Sequence, residues 1–143
     1  MSVNFLNKKD YDDGKKQEDL LLPFFRKMFQ DDKIEKQKNP YSVMDFKGHN
    51  LFIELKKRNC SLSKYDSSMI GYNKIQFCSR LNDNIDCYFF FQYTDYLVYY
   101  KYDTSHFFQV SDGGRNDRGR EESSKYIFIP IDKLIKCNTS IIY

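Results

Sequence analysis

The chain has 143 residues, with 23 Lys+Arg against 20 Asp+Glu and a formal net charge of +3. That length suits one domain and leaves no room for a separate cofactor module. A hydrophobic content of 41% supports a packed core, and the near-neutral balance argues against a polybasic, histone-like binder.

Taken in chain order, Lys15 to Gln30 reads as a helix, with Leu21, Phe25 and Met28 or Phe29 at helical spacing. Pro23 either kinks it or opens it as the first helical residue. Residues 31–40 are polar and read as a loop. A hairpin follows: 41–46, a turn at Lys47-Gly48-His49-Asn50 with Gly48 as first central residue, then 51–57. The second strand alternates, with Leu51, Ile53 and Leu55 on one face and Phe52, Glu54 and Lys56 on the other. A polar connection, 58–68, leads to a second helix over 71–81. Residues 88–93 and 96–102 form a second hairpin, 106–110 an edge strand, 125–131 a last strand and 132–136 a helical turn. Residues 111–124 are expected to be a flexible charged loop. The expected fold is one α+β (mixed α/β) domain over 1–143 with a central mixed sheet flanked by helices, in the order α-β-β-α-β-β-β.

Cys60, Cys78, Cys87 and Cys137 have no CxxC spacing, and His49 and His106 complete no zinc pattern. They read as reduced thiols. The opening run MSVNFLNKKDYDDG holds no apolar signal segment, and no stretch approaches the roughly 20 apolar residues of a bilayer span. The expectation is an intracellular protein (cytoplasm or nucleus, of a host if viral) without membrane association. Aromatics make up 17% of the chain, and Ala and Trp are absent. AT-rich codons account for part of that bias, and most of the rings are expected in the core. The aromatic strands after Asp86 are candidates for a homodimer interface.

The first hairpin carries the chemistry. Pairing Lys47 with Asn50 sets Asp45 opposite Phe52, so that Asp45 and Glu54 share a face as diagonal neighbours about 7–8 Å apart at the backbone. Two carboxylates at that spacing can hold a hard cation such as Mg²⁺, with Mn²⁺ as a substitute. Lys56 points to the same face, where a cation can orient water or stabilise phosphate charge. From Lys47 to Arg80 there are seven Lys/Arg against two acids, an excess that surrounds the acidic pair and suits a phosphate backbone. The tripeptide Glu54-Leu55-Lys56 alone is weak evidence, since this composition gives about 0.6 such matches by chance. Its place on the one cleanly alternating strand, facing an aspartate, gives it weight.

These residues resemble the PD-(D/E)XK nuclease superfamily, with a restriction endonuclease-like core over 15–100 and the style of a viral or phage member. Met44 stands where the motif has proline. The resemblance implies a metal-dependent endo- or exonuclease acting on DNA more than RNA. It implies that Asp45, Glu54, the Leu55 carbonyl and Glu18 hold Mg²⁺, and that Lys56 assists catalysis. Lys74, Gln76, Arg58, Lys64, Arg115 and Arg118 are then the nucleic-acid contacts. Two other readings stand beside it: a catalytically silent nucleic-acid-binding module of the same fold, and a tyrosine-rich protein-interaction domain.

Overall fold

The computed structural model describes residues 5–112 and 125–138, with side chains from residue 14 onward. It shows a mixed α+β fold with two helices and a mixed central sheet. Helix α1, Phe5–Met28, runs through Pro23 and starts ten residues before the expected boundary. Its inward stripe is Glu18, Leu21 and Phe25, all buried. Its end is a Schellman turn: Asp31 N–H donates to the Arg26 carbonyl and Gln30 N–H to the Lys27 carbonyl, with Gln30 at φ 50.

Strand β1, Glu35–Lys36, lies in the segment expected to be loop. Strands β2, Phe46–Lys47, and β3, Leu51–Lys57, form the first hairpin. Of the expected strand over 41–46 only Phe46 is in β2, which runs on into Lys47, and Asp45 sits just before it. The register also differs from expectation. Phe46 pairs with Ile53 and Lys47 with Phe52, and Gly48 N–H donates to the Leu51 carbonyl at 2.9 Å. The turn therefore centres on His49 and Asn50. Gly48 is needed for a close approach instead: an added Cβ would stand 2.8 Å from Ile34 Cγ1 and 2.5 Å from Asp31 Oδ2. Asp31 in turn accepts the His49 N–H at 2.8 Å, clamping the turn to the exit of α1.

The segment expected as a polar connection contains a 3₁₀ turn, Leu62–Lys64, and β4, Ser67–Gly71. Helix α2, Tyr72–Ser79, follows, then β5, Asp86–Gln92, and β6, Leu97–Lys101. Strand β7, Val110–Asp112, lies slightly later than the expected edge strand, and β8 spans Lys125–Pro130. A 3₁₀ turn, Ile131–Lys133, and β9, Ile135–Lys136, replace the expected helical turn. The expected order is thus interrupted by short strands.

The central sheet runs β1-β2-β3-β5-β6-β9, and a second sheet runs β4-β8-β7. Strands β3 and β5 are parallel over seven residues, Leu51 to Asp86 through Lys57 to Gln92, while the hairpins on either side are antiparallel. The chain between β3 and β5 crosses over through β4 and α2. Two apolar layers result. Phe25 and Leu21 of α1 pack on Ile53, Leu55 and Phe90. On the other face, Cys78 of α2 and Ile70, Ile127 and Ile129 of the second sheet pack on Phe89 and Phe91. Phe89, Phe90 and Phe91 are each 0% exposed, so these rings form the core and are not available as an interface between copies. Among the described residues no helix is long and apolar enough to cross a membrane, and all four cysteines are unpaired.

Candidate active site

Strand β3 is paired on both edges inside the central sheet, with the α1 layer packed on one face and the layer of α2 and the second sheet on the other. Ile53 and Leu55 face α1, so alternation turns Glu54 toward α2, where it is only 1% exposed. This excludes an exposed strand face carrying a solvated charge cluster. Asp45, just before β2, bonds the Ile53 carbonyl and the Leu55 N–H, the two residues that flank Glu54, and so lies beside it. The two-residue register shift preserves the shared face, since side chains repeat every second residue.

Asp45 is fixed by its backbone and its carboxylate. Its N–H donates to the Ile53 carbonyl at 3.0 Å, and its own carbonyl accepts from Gln37 N–H at 2.8 Å. Its Oδ2 accepts the Leu55 N–H at 2.8 Å. In an extended strand the N–H and C=O of one residue point to the same edge, so the Leu55 carbonyl faces the edge where Asp45 sits, past the end of β2.

Two lysines complete the cluster. Lys74 of α2 places Nζ 2.9 Å from Glu54 Oε2 and also donates to the Val43 carbonyl. Lys56 Nζ lies 3.6 Å from the same Oε2, with its side chain 42% exposed. Among the described residues neither Glu54 oxygen has a hydrogen-bond partner, so the lysines act on it as charges rather than as aligned donors. Burial is the main force on Glu54, followed by the neighbouring Asp45. Together they push its carboxyl up to about 8, against the lowering influence of Lys56 and Lys74. In its protonated form Glu54 can hydrogen-bond Asp45, which relieves the contact between the two acids.

The structure brings Asp45, Glu54, Leu55, Lys56 and Lys74 together. Glu18 approaches from α1, on the other face of the sheet. Its carboxyl is raised by burial and by Asp45, and its nearest cation is Lys15 at 3.4 Å. Among the described residues no group of three His, Cys, Asp or Glu side chains stands close enough to hold a metal ion. The site thus offers two carboxylates and a backbone carbonyl. All are hard oxygen donors, and one belongs to a buried acid lacking a hydrogen bond, which suits Mg²⁺, an ion bound through one or two carboxylates with several waters retained.

The basic residues divide. Lys64 and Gln76 are exposed and free to face a ligand. Arg58 bonds the Met69 carbonyl of β4 and lies 5.8 Å over the Phe91 ring, which ties the two sheets together. Arg115 and Arg118 lie outside the described residues. The Val43 carbonyl and the Gln37 amide were missed in the sequence, because backbone groups in irregular segments carry no side-chain signal. The direct contact of Lys74 with Glu54 follows from the parallel crossover, which lays α2 on the Glu54 face.

A mixed sheet with Asp45 at one strand's start and Glu54-x-Lys56 on the next is the arrangement of a PD-(D/E)XK nuclease. Residues 26–136 match the family described as "Phage putative PDDEXK endonuclease". The chain belongs to this phage PD-(D/E)XK family. The matched span contains Asp45, Glu54, Lys56 and Lys74, and Glu18 falls before it. No curated protein and no solved structure gives a significant match.

Proposed function

We propose that this protein is a Mg²⁺-dependent nuclease that hydrolyses phosphodiester bonds, with DNA as its substrate. The observation that carries the proposal is Glu54, a buried acid facing Asp45 with two lysines beside it. A pair of acids is costly to ionise in such a place unless a cation joins them. Asp45, Glu54 and the Leu55 carbonyl would hold Mg²⁺ or Mn²⁺, with Glu18 on the far side of Asp45 reaching the site directly or through water. When bound, the metal supplies Lewis acidity and neutralises phosphate charge.

The chain's own groups have separable tasks. Lys56, partly exposed, presents a positive charge where the attacked phosphate becomes more negative. Lys74, only 17% exposed, holds Glu54 in place and lowers the cost of ionising it. The preference for DNA comes from the family resemblance.

Incubation with single- and double-stranded DNA and RNA in Mg²⁺ or Mn²⁺ tests the proposal, with Asp45→Ala and Lys56→Ala as comparisons. Metal-dependent cleavage lost in both variants is the expected result. Cleavage that persists in both would remove the site. Binding without cleavage favours the silent module, and neither binding nor cleavage favours the protein-interaction domain.

A further inference from the structure

A second basic surface lies on the α1 side of Asp45, away from Lys74. Between one face of α1 and strand β1 runs a groove of about 540 Å³. Its lining brings four cations, Lys15, Arg26, Lys36 and Lys38, against one acid, Glu35. Some of this charge has local work: Arg26 Nε donates to the Ile34 carbonyl at 2.9 Å, and Lys36 Nζ meets Asp19 at 2.8 Å. Asp19 is 68% exposed, so water screens that pair and leaves the lysine available to a stronger anion. Lys38 is exposed.

The groove borders directly on the site. Lys36 pairs with Phe46, the neighbour of Asp45, and Gln37 N–H bonds the Asp45 carbonyl. At its other wall Lys15 meets Glu18 at 3.4 Å. From Lys15 to Arg26 the helix rises about 16 Å, which is long enough to face several successive phosphates of one strand.

We infer that this groove holds the sugar–phosphate backbone of the nucleic acid as it leaves the scissile position, contacting phosphates without reading base sequence. The inference rests on the nuclease reading. It assigns the substrate a path along α1 and β1, in addition to the α2 side. A concave surface with four cations and one acid, continuous with a candidate phosphodiester site, has the charge a polyanion requires.

The test is binding of fluorescent single-stranded and duplex DNA by the Lys56→Ala chain in Mg²⁺ across a salt series. In that background Lys36→Gln with Lys38→Gln should weaken binding to every sequence alike. It should also reduce the slope of log Kd against log salt by about 1 per lysine. Lys133→Gln with Lys136→Gln, an equal charge change at the opposite edge of the central sheet, should leave the slope unchanged. Glu35→Gln should tighten binding, a gain that misfolding cannot produce. A groove pair that keeps the parental slope, or loses no more than the opposite-edge pair, overturns the groove, as does a Glu35→Gln chain that binds no tighter. If the unaltered chain still cleaves in Mg²⁺, the nuclease reading survives that result. An unaltered chain that neither binds nor cleaves overturns both.

Discussion

Glu54 sits at 1% exposure beside another acid, a placement that packing alone would disfavour. Its carboxyl is raised to about 8, so between the unfolded value near 4.5 and about 8 the folded chain binds a proton that the unfolded chain has released. Stability from this group is therefore greatest below the unfolded pKa and is lost as pH rises toward 8, at no more than about 1.4 kcal/mol per pH unit. Glu18 shifts in the same direction. In metal-free buffer the melting temperature should fall from pH 5 to pH 8, and Glu54→Gln should flatten that decline. A profile with the same slope in both proteins would contradict the placement of Glu54. Lys74→Met removes the nearer ammonium, so it should cost about 1–3 kcal/mol at pH 9 and less at pH 6, where Glu54 is neutral. Denaturant melts at the two pH values would check this. Alternation along β3 made the shared face of Asp45, Glu54 and Lys56 legible in the sequence. It could not reveal the burial of Glu54, because burial depends on β5 and α2 arriving from elsewhere in the chain.

At the level of elements, long periodic segments were readable and short ones were not. Strands β3, β5, β6 and β8 and helix α2 stand close to where alternation and helical spacing put them. Strands β1, β2 and β9 have two residues each, held by pairing and too short to show a pattern. Strand β4 does alternate in burial, but one of its buried residues is Ser68, so the sequence looked polar. The turn was misread because Gly48 suggested positive φ, whereas its role is the tight contact with Ile34 and Asp31. Gly48→Ala should therefore destabilise the fold by about 1–3 kcal/mol through overpacking, measured by chemical denaturation. Arg58 offers a sharper distinction. Its hold on Met69 and Phe91 predicts that Arg58→Ala costs about 1–2 kcal/mol of stability and leaves the salt slope of DNA binding unchanged. A reduced slope at unchanged stability would make Arg58 a phosphate contact instead.

At the scale of the whole molecule, the net charge of +3 is an average over unlike surfaces. One layer, between α1 and the central sheet, supplies an apolar core and carries the basic groove on its rim. The other, between the sheet, α2 and β4-β8-β7, contains the carboxylate and both lysines. Asp45 lies at the border between them, bonded to Gln37 just after β1 and to Ile53 and Leu55 of β3, so a strand crossing the site can touch both sides. The central claim is that the Asp45–Glu54 pair is the metal-holding centre of a nuclease. The most direct measurement is the rate of Mg²⁺-dependent DNA cleavage by Glu54→Gln against the unaltered chain. Glutamine keeps the shape and removes the charge, so the rate should fall about a hundredfold or more. A Glu54→Gln chain that cleaves within a few-fold of the unaltered rate would contradict the claim.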